Sequence, residues 1–419
     1  QEFLMTTIGA LIGLMLSVFL IIKKIAPAYS LIAGAIVGGL LGGLPLVETV
    51  KMMTEGVKDV TPAIIRILTA GVLSGVLIKT GAAATLSNAI ISSLGEKRVF
   101  GALALATMLL CAVGVFIDVA VITVAPVALS IGKRLGLSPS VLLVAMIGGG
   151  KCGNIISPNP NTIIAADNFG ADLSSVMLAN LLPAFLGLLF TVFVIVRFIP
   201  KRLMVMRETK EEVQDDRQLP SLASSLVAPI VTIILLALRP VADIAIDPLI
   251  ALPIGGLCGL LCMRQWKNLL PCMEYGLQKM SSVAILLVAT GTIAGIIKNS
   301  TLKDWILNLL AQAHFDEVMI APVSGALMSA ATASTTAGST LASASFAETI
   351  LAVGISAVWG AAMINSGATV LDHLPHGSFF HATGGVCELT FKERLKLIPY
   401  ETLIGAVLAA STTLLCLLC

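Results

Sequence analysis

The chain has 419 residues, of which 57% are hydrophobic and only 12% charged, with a net charge of +2 and a mean hydropathy of +0.99. A soluble domain carries about 25% charged residues, so a mostly wetted surface is excluded. No basic stripe interleaved with aromatics occurs, which argues against a nucleic-acid partner.

Crossing a bilayer core of ~30 Å takes roughly 20 apolar residues in a helix. Residues 1–4 precede Met5 and are read as a remnant foreign to the chain. Apolar runs follow at 6–22, 28–46, 61–78, 140–156, 176–196, 221–238, 246–263, 280–297, 348–366 and 399–418. They are continuous rather than alternating, so helices and not a β-barrel are expected. Lys23 and Lys24, rather than a small-residue cleavage site, follow the first run, which makes it a retained span and not a signal peptide. Two further stretches, 101–132 and 318–345, are apolar but broken in the middle.

Basic residues cluster at Lys23 and Lys24, Lys97 and Arg98, Lys133 and Arg134, the link 197–217, Arg264 with Lys267, and 392–396. Positive charge stays on the cytoplasmic face. All six clusters share that face if each broken stretch enters and leaves on one side, which makes both stretches candidate re-entrant hairpins and puts both termini outside. The halves also echo each other. Leu31 recurs as Leu249, Gly71 and Gly75 as Gly291 and Gly295, and Pro183 as Pro399, at a nearly constant offset of about half the chain. Five spans and one hairpin per half is an odd number of crossings, so the second copy lies upside down. The expected fold is an all-α polytopic membrane protein of two inverted-topology repeats, 5–197 and 221–419, joined by a cytoplasmic connector at 198–220. The eight cysteines show no disulfide framework and no metal spacing.

Two segments break the apolar pattern at a cost. In 148–162, Pro158 and Pro160 prevent a continuous helix, and exposed backbone in lipid must line a cavity or be buried in protein. Asn154, Ser157, Asn159, Asn161 and Thr162 then offer donors and acceptors to a polyhydroxylated ligand; the plainer reading is a surface turn. In 332–340, six residues carry hydroxyls, among them Ser334, Thr335, Thr336 and Ser339. Small hydroxyl residues glue membrane helices together, but an unwound tip with free N–H groups at a helix start would also hold a carboxylate. Asn365, Ser366 and Thr369 are the second-half counterparts of the Asn-Pro segment.

Asp118 stands alone in an apolar run, where a carboxylate is a functional-site candidate; it, Asp372 or Asp167 could carry a coupling proton. Lys151 could pair with a substrate carboxylate or with Asp118, or snorkel. His373, His376 and His381 share one loop and are read as loop or gate residues rather than metal ligands.

At the Ser-Pro-Asn-Pro-Asn-Thr run of 157–162, at Phe116-Ile117-Asp118, at 332–340 and at 362–374, the chain resembles the gluconate permease family of the ion-transporter superfamily. That resemblance implies proton-coupled uptake of gluconate or a related hydroxy acid in the bacterial cytoplasmic membrane, with D-serine among the substrates of some members. It also implies two inverted halves whose hairpins meet at a central site. The expected function is therefore a proton-coupled symporter for a small organic acid, with no cofactor. A Na⁺-coupled carboxylate carrier is the nearest rival. No HExxH, no GxSxG and no proteolytic aspartate pair point to an enzyme. The sequence leaves homo-oligomerisation open.

Overall fold

The computed structural model describes residues 6–200, 219–242, 244–302, 305, 316–375 and 377–418. The leading residues 1–4 and most of the connector lie outside that set. The described residues form helices and contain no strand. The first half holds α1 (Thr7–Ile22), α2 (Pro27–Leu41), α3 (Leu46–Lys79), α4 (Ala82–Leu94), α5 (Val99–Ala112), α6 (Ile117–Leu135), α7 (Pro139–Asn154), α8 (Pro160–Phe169), α9 (Leu173–Ala179) and α10 (Leu181–Phe190). The second holds α11 (Val227–Ala242), α12 (Pro248–Cys262), α13 (Leu269–Lys298), α14 (Ile320–Thr332), α15 (Thr335–Ala352), α16 (Ala357–Gly367), α17 (Ser378–Val386) and α18 (Ile398–Leu418). Four helical segments are long and apolar enough to cross a membrane unaided, and shorter apolar helices surround them. The chain is a multi-pass helical membrane protein.

Boundaries repeat along the chain. The helices α6 and α15 start at 117 and 335, α7 and α16 at 139 and 357, and α8 and α17 at 160 and 378, the same offset each time. Each broken stretch is a pair of helices joined by a tight turn. The α5–α6 turn uses Gly114 at φ +102°, whereas the α14–α15 turn places Ala333 at φ +47°, a conformation that a non-glycine residue rarely adopts. Ser334 then caps α15, its Oγ accepting from the Ala337 N–H at 3.3 Å.

The long helices α3 and α13 cross antiparallel along a glycine seam. Gly56 packs on Gly291 and Gly295, while Gly71 and Gly75 pack on Gly276 and Cys272. A Cβ on Gly56 or Gly276 would run into the facing backbone, so these glycines are required by close approach, as in small-residue membrane seams. The glycines that echo each other in sequence thus sit at opposite ends of one seam, Gly71 and Gly75 on Gly276 and Cys272, and Gly291 and Gly295 on Gly56.

Several boundaries differ from the hydropathy reading. The helix α3 begins at Leu46, well before the run at 61, because its first turns carry Glu48, Lys51, Glu55, Lys58 and Asp59 and drop out of an apolar window. The run 348–366 is two elements: α15 ends at Ala352 and α16 starts at Ala357, with Gly354 at φ +87° between them. The intervening Val353, Gly354 and Ile355 are apolar or small, so hydropathy registers no break there. Helix α7 continues through the Gly148–Gly149–Gly150 triplet to Asn154, so that only 155–159 is non-helical. The triplet serves packing: a Cβ on Gly149 would strike the Ala104 carbonyl of α5, and one on Gly148 would strike Thr191.

Candidate functional site

A cavity of about 900 Å³ lies where the two helix-pair turns approach each other. Phe116, Ile117 and Asp118 line it from the start of α6, and Thr332 to Ala337 from the α14–α15 turn. The ends of the two other breaks, Asn154 and Asp372, complete its floor. Lys24, beside the start of α2, and Lys279 of α13 add positive charge, and His381 of α17 lies in the wall.

Asn154 and Asp372 hold equivalent places in the two halves but have different surroundings. Asn154 is bound by neutral groups: its Oδ1 accepts from Asn159 Nδ2 at 2.9 Å, and its carbonyl from the Ser157 hydroxyl at 3.0 Å. Asn161 donates to Asn365 Oδ1 at 2.8 Å, and Asn365 in turn donates to Thr162 Oγ1 at 3.1 Å. The Ser339 hydroxyl donates to the Asn161 carbonyl at 3.0 Å. These residues are buried, and their pairing removes the penalty of an unsatisfied polar group, about 1–3 kcal/mol each.

Asp372 is ionic instead. Lys151, fully buried, donates to Asp372 Oδ1 at 2.6 Å, to the Thr369 carbonyl, and to the Glu401 carbonyl at 3.3 Å. Thr335, the first residue of α15, donates to Asp372 Oδ2 at 2.6 Å. His373 Nδ1 lies 3.0 Å from both Lys151 Nζ and Asp372 Oδ1, and its Nε2 lies 3.1 Å from the Ile398 carbonyl and from Thr402 Oγ1. Hence the turn between α14 and α15 is tied through one carboxylate to α7, α16 and α18.

Of the residues predicted from sequence, Asn154, Ser334, Thr335, Thr336, Asp118 and Asp372 face the cavity. Ser157, Asn159, Asn161, Thr162, Ser339, Asn365 and Thr369 form the hydrogen-bonded layer behind it. Asp118 is half-buried and makes no ion pair among the described residues. Lys151 pairs with Asp372 rather than with Asp118, and it does not snorkel, because α7 ends inside the protein. His373 is part of the buried network and His381 lines the cavity, whereas His376 lies outside the described residues. Among the described residues, no group of three or more His, Cys, Asp or Glu side chains is placed to hold a metal.

Asp167 is elsewhere. It pairs with Arg66, which also grips Asp247 at 2.6 Å, between cavities of about 270 and 180 Å³ apart from the central one. The hydrogen bonds from Arg66 hold the Asp247 carboxyl, in the loop before α12, below the usual carboxylate range. Sequence reasoning passed over Arg66, although it is a lone charge in an apolar run by the same criterion that singled out Asp118. It also placed Arg394 with the cytoplasmic basic clusters. Arg394 is instead buried against the buried carboxylate of Glu401, and donates to Thr383 Oγ1 at 3.3 Å. The charge-run reading missed the pair because only tertiary contact shows that Arg394 turns inward.

A helical membrane protein with a chamber walled by helix-pair turns and interrupted helices has the build of a secondary transporter. The chain matches the profile of the GntP family permeases over residues 5–419 and belongs to that family of membrane permeases. It is 53% identical over 410 residues to an uncharacterized transporter of Haemophilus influenzae, covering 98% of each chain. It is 24% identical over 433 residues to the D-serine transporter DsdX of Escherichia coli K12, covering 97% of this chain and 96% of that one. It is also 24% identical over 388 residues to a gluconate permease of Pseudomonas aeruginosa, covering 85% of each. The fold is similar to that of the Alcanivorax borkumensis YdaH transporter, with a TM-score of 0.67 at 14% identity over 96% of this chain and 97% of that one.

Proposed function

We propose that the protein is a proton-coupled symporter of the cytoplasmic membrane for gluconate or a related small hydroxy acid. The observation that carries this reading is the composition of the central cavity. It offers hydroxyls and an amide (Ser334, Thr335, Thr336, Asn154), the N-terminus of α15, and Lys24 and Lys279 to attract an anion. Hydroxyl and amide groups suit a polyhydroxylated chain, and the helix start suits its carboxylate. Asp118 is the coupling carboxylate in this reading: it faces the cavity and makes no ion pair among the described residues. Asp372 is already held by Lys151, and Asp167 lies outside the cavity.

In this reading the halves are inverted repeats with one re-entrant hairpin each, 99–135 and 320–352. The antiparallel crossing of the equivalent helices α3 and α13 supports it, as does the shared offset of the element boundaries. Lys24, from a basic cluster, lines the cavity, and in this reading the cavity faces the cytoplasm. Counterparts of its lining in the other half, Asp59 for Lys279 and Ala245 for Ile25, line the two smaller cavities instead. The Arg66 ion pairs close that opposite side, and alternating access exchanges the open and closed faces.

Reconstituted protein should accumulate labelled gluconate under an inward proton gradient, and Asp118→Asn should abolish accumulation while leaving the protein folded. Uptake that ignores pH and requires Na⁺ would overturn the coupling assignment. A second reading, a D-serine carrier, draws on the similarity to DsdX and on the same Asp118, which could receive an ammonium group. Competition by unlabelled D-serine against gluconate separates the two.

A further inference from the structure

We infer that the Lys151 ammonium is a tethered cation, filling a site that would otherwise take a free alkali ion and thereby freeing transport from Na⁺. The inference rests on the symporter reading and specifies its coupling. Lys151 reaches a point behind Asp372, on the far side of that carboxylate from the cavity. There Nζ is surrounded by the Thr369 carbonyl, the Glu401 carbonyl, Asp372 Oδ1 and His373 Nδ1. The Thr369 carbonyl belongs to the first turns beyond α16, where the helix has stopped and carbonyls are left without helical partners. Carbonyls freed at interrupted helices, together with a carboxylate, are the ligands hard cations take in membrane carriers.

The protonation follows from the partners. His373 Nε2 lies at the Ile398 carbonyl, which can only accept, so Nε2 carries a ring proton. The two carbonyls and the Asp372 carboxylate oxygen around Nζ can only accept, and they match the three protons an ammonium has to give. A neutral amine there would leave Asp372 as a buried charge without a counter-ion. The site is thus built for one positive charge, supplied covalently from α7. Through Asp372 and Thr335 that charge also fixes the start of α15, making Lys151 a positioning residue for the cavity wall.

Removing the ammonium should leave an anionic pocket that Na⁺ can enter. The test compares thermal unfolding of purified wild type, Lys151→Ala and Lys151→Arg in 100 mM NaCl and 100 mM choline chloride. Wild type and Lys151→Arg should unfold at the same temperature in both salts. Lys151→Ala should be stabilised by Na⁺ by about 3 °C or more, as mass action predicts for an ion binding the native state at a few-millimolar Kd. In proteoliposomes its uptake should fall by about tenfold or more in choline and recover in Na⁺, a rescue that a purely structural lysine would not give. A Lys151→Ala protein indifferent to Na⁺, or a wild type that needs Na⁺, overturns the inference. Lys151→Ala/Asp372→Asn removes both charges and should fold with no Na⁺ response. If that double variant folds while Lys151→Ala folds in neither salt, the inference also fails. The unfolding assay needs no transported substrate, so an error in the symporter reading shows separately, as absence of acid uptake by the wild type.

Discussion

The two interrupted regions, at 155–159 and 368–375, occupy equivalent places in the two halves, and their chemistry is opposite. Asn154 and Asp372 are separated by the same offset as the paired helix starts, and both line the central cavity. The first break closes on itself: amides and hydroxyls satisfy one another, and Asn161 bonds across to Asn365 of the other half. The second reaches across the halves with charge, through Lys151 and Asp372. A repeated backbone therefore supplies the geometry twice, while the side chains divide the work. The neutral break is a rigid wall, and the ionic one holds the hairpin tip through a single carboxylate. A low-dielectric interior makes an unpaired charge far more costly than an unpaired amide, so damage to the two breaks should have unequal consequences.

Four substitutions test that inequality. Asp372→Asn leaves Lys151 buried without its counter-ion, and loss of one partner of such a pair costs about 3–5 kcal/mol; denaturant or thermal unfolding in detergent should show a loss of that order. Asn161→Ala strips the donor from Asn365 Oδ1 in the neutral break and should cost about 1–3 kcal/mol in the same assay. An equal loss from the two variants would mean that the ionic and neutral breaks do not differ in this way. Asp247→Asn removes a half-exposed partner of Arg66, and exposed pairs contribute about 0–1 kcal/mol. Because the Asp247 carboxyl is held below its ordinary range, its contribution is present above the unfolded-state pKa and lost as pH falls through the folded one. The wild-type advantage over Asp247→Asn should therefore fade in acid and persist at neutral pH. Asp118→Asn should have the smallest effect on stability, within about 0.5 kcal/mol as for sites without such partners, even though accumulation of substrate is expected to vanish. A large loss of stability there would mean that Asp118 has a structural partner.

Hydropathy and local chemistry account for much of the molecule. Continuous apolar runs separated by basic links can only be helices in a bilayer, because no other open structure satisfies its backbone there. Pro158, Pro160 and the first residues of the hydroxyl run at 332–340 mark where helices stop, and Asp118 marks itself by the cost of a lone carboxylate. These signals are local, and each is legible because one residue or one short window carries it. Helix α8, the split of 348–366 at Gly354, and the early start of α3 were not legible, since amphipathic or seamless stretches leave no hydropathy edge.

What the sequence determined was the class of protein, the recurrence of one half's pattern in the other and the short list of costly polar positions. Only the tertiary structure decided which of those positions meet. Lys151 finds Asp372 on the far half of the chain, Arg66 finds Asp167 from another helix, and Arg394 turns in to Glu401. The reason is physical: a buried charge declares its cost in sequence, but the partner that offsets it is chosen by packing, and packing is fixed only when the two halves close along their glycine seam.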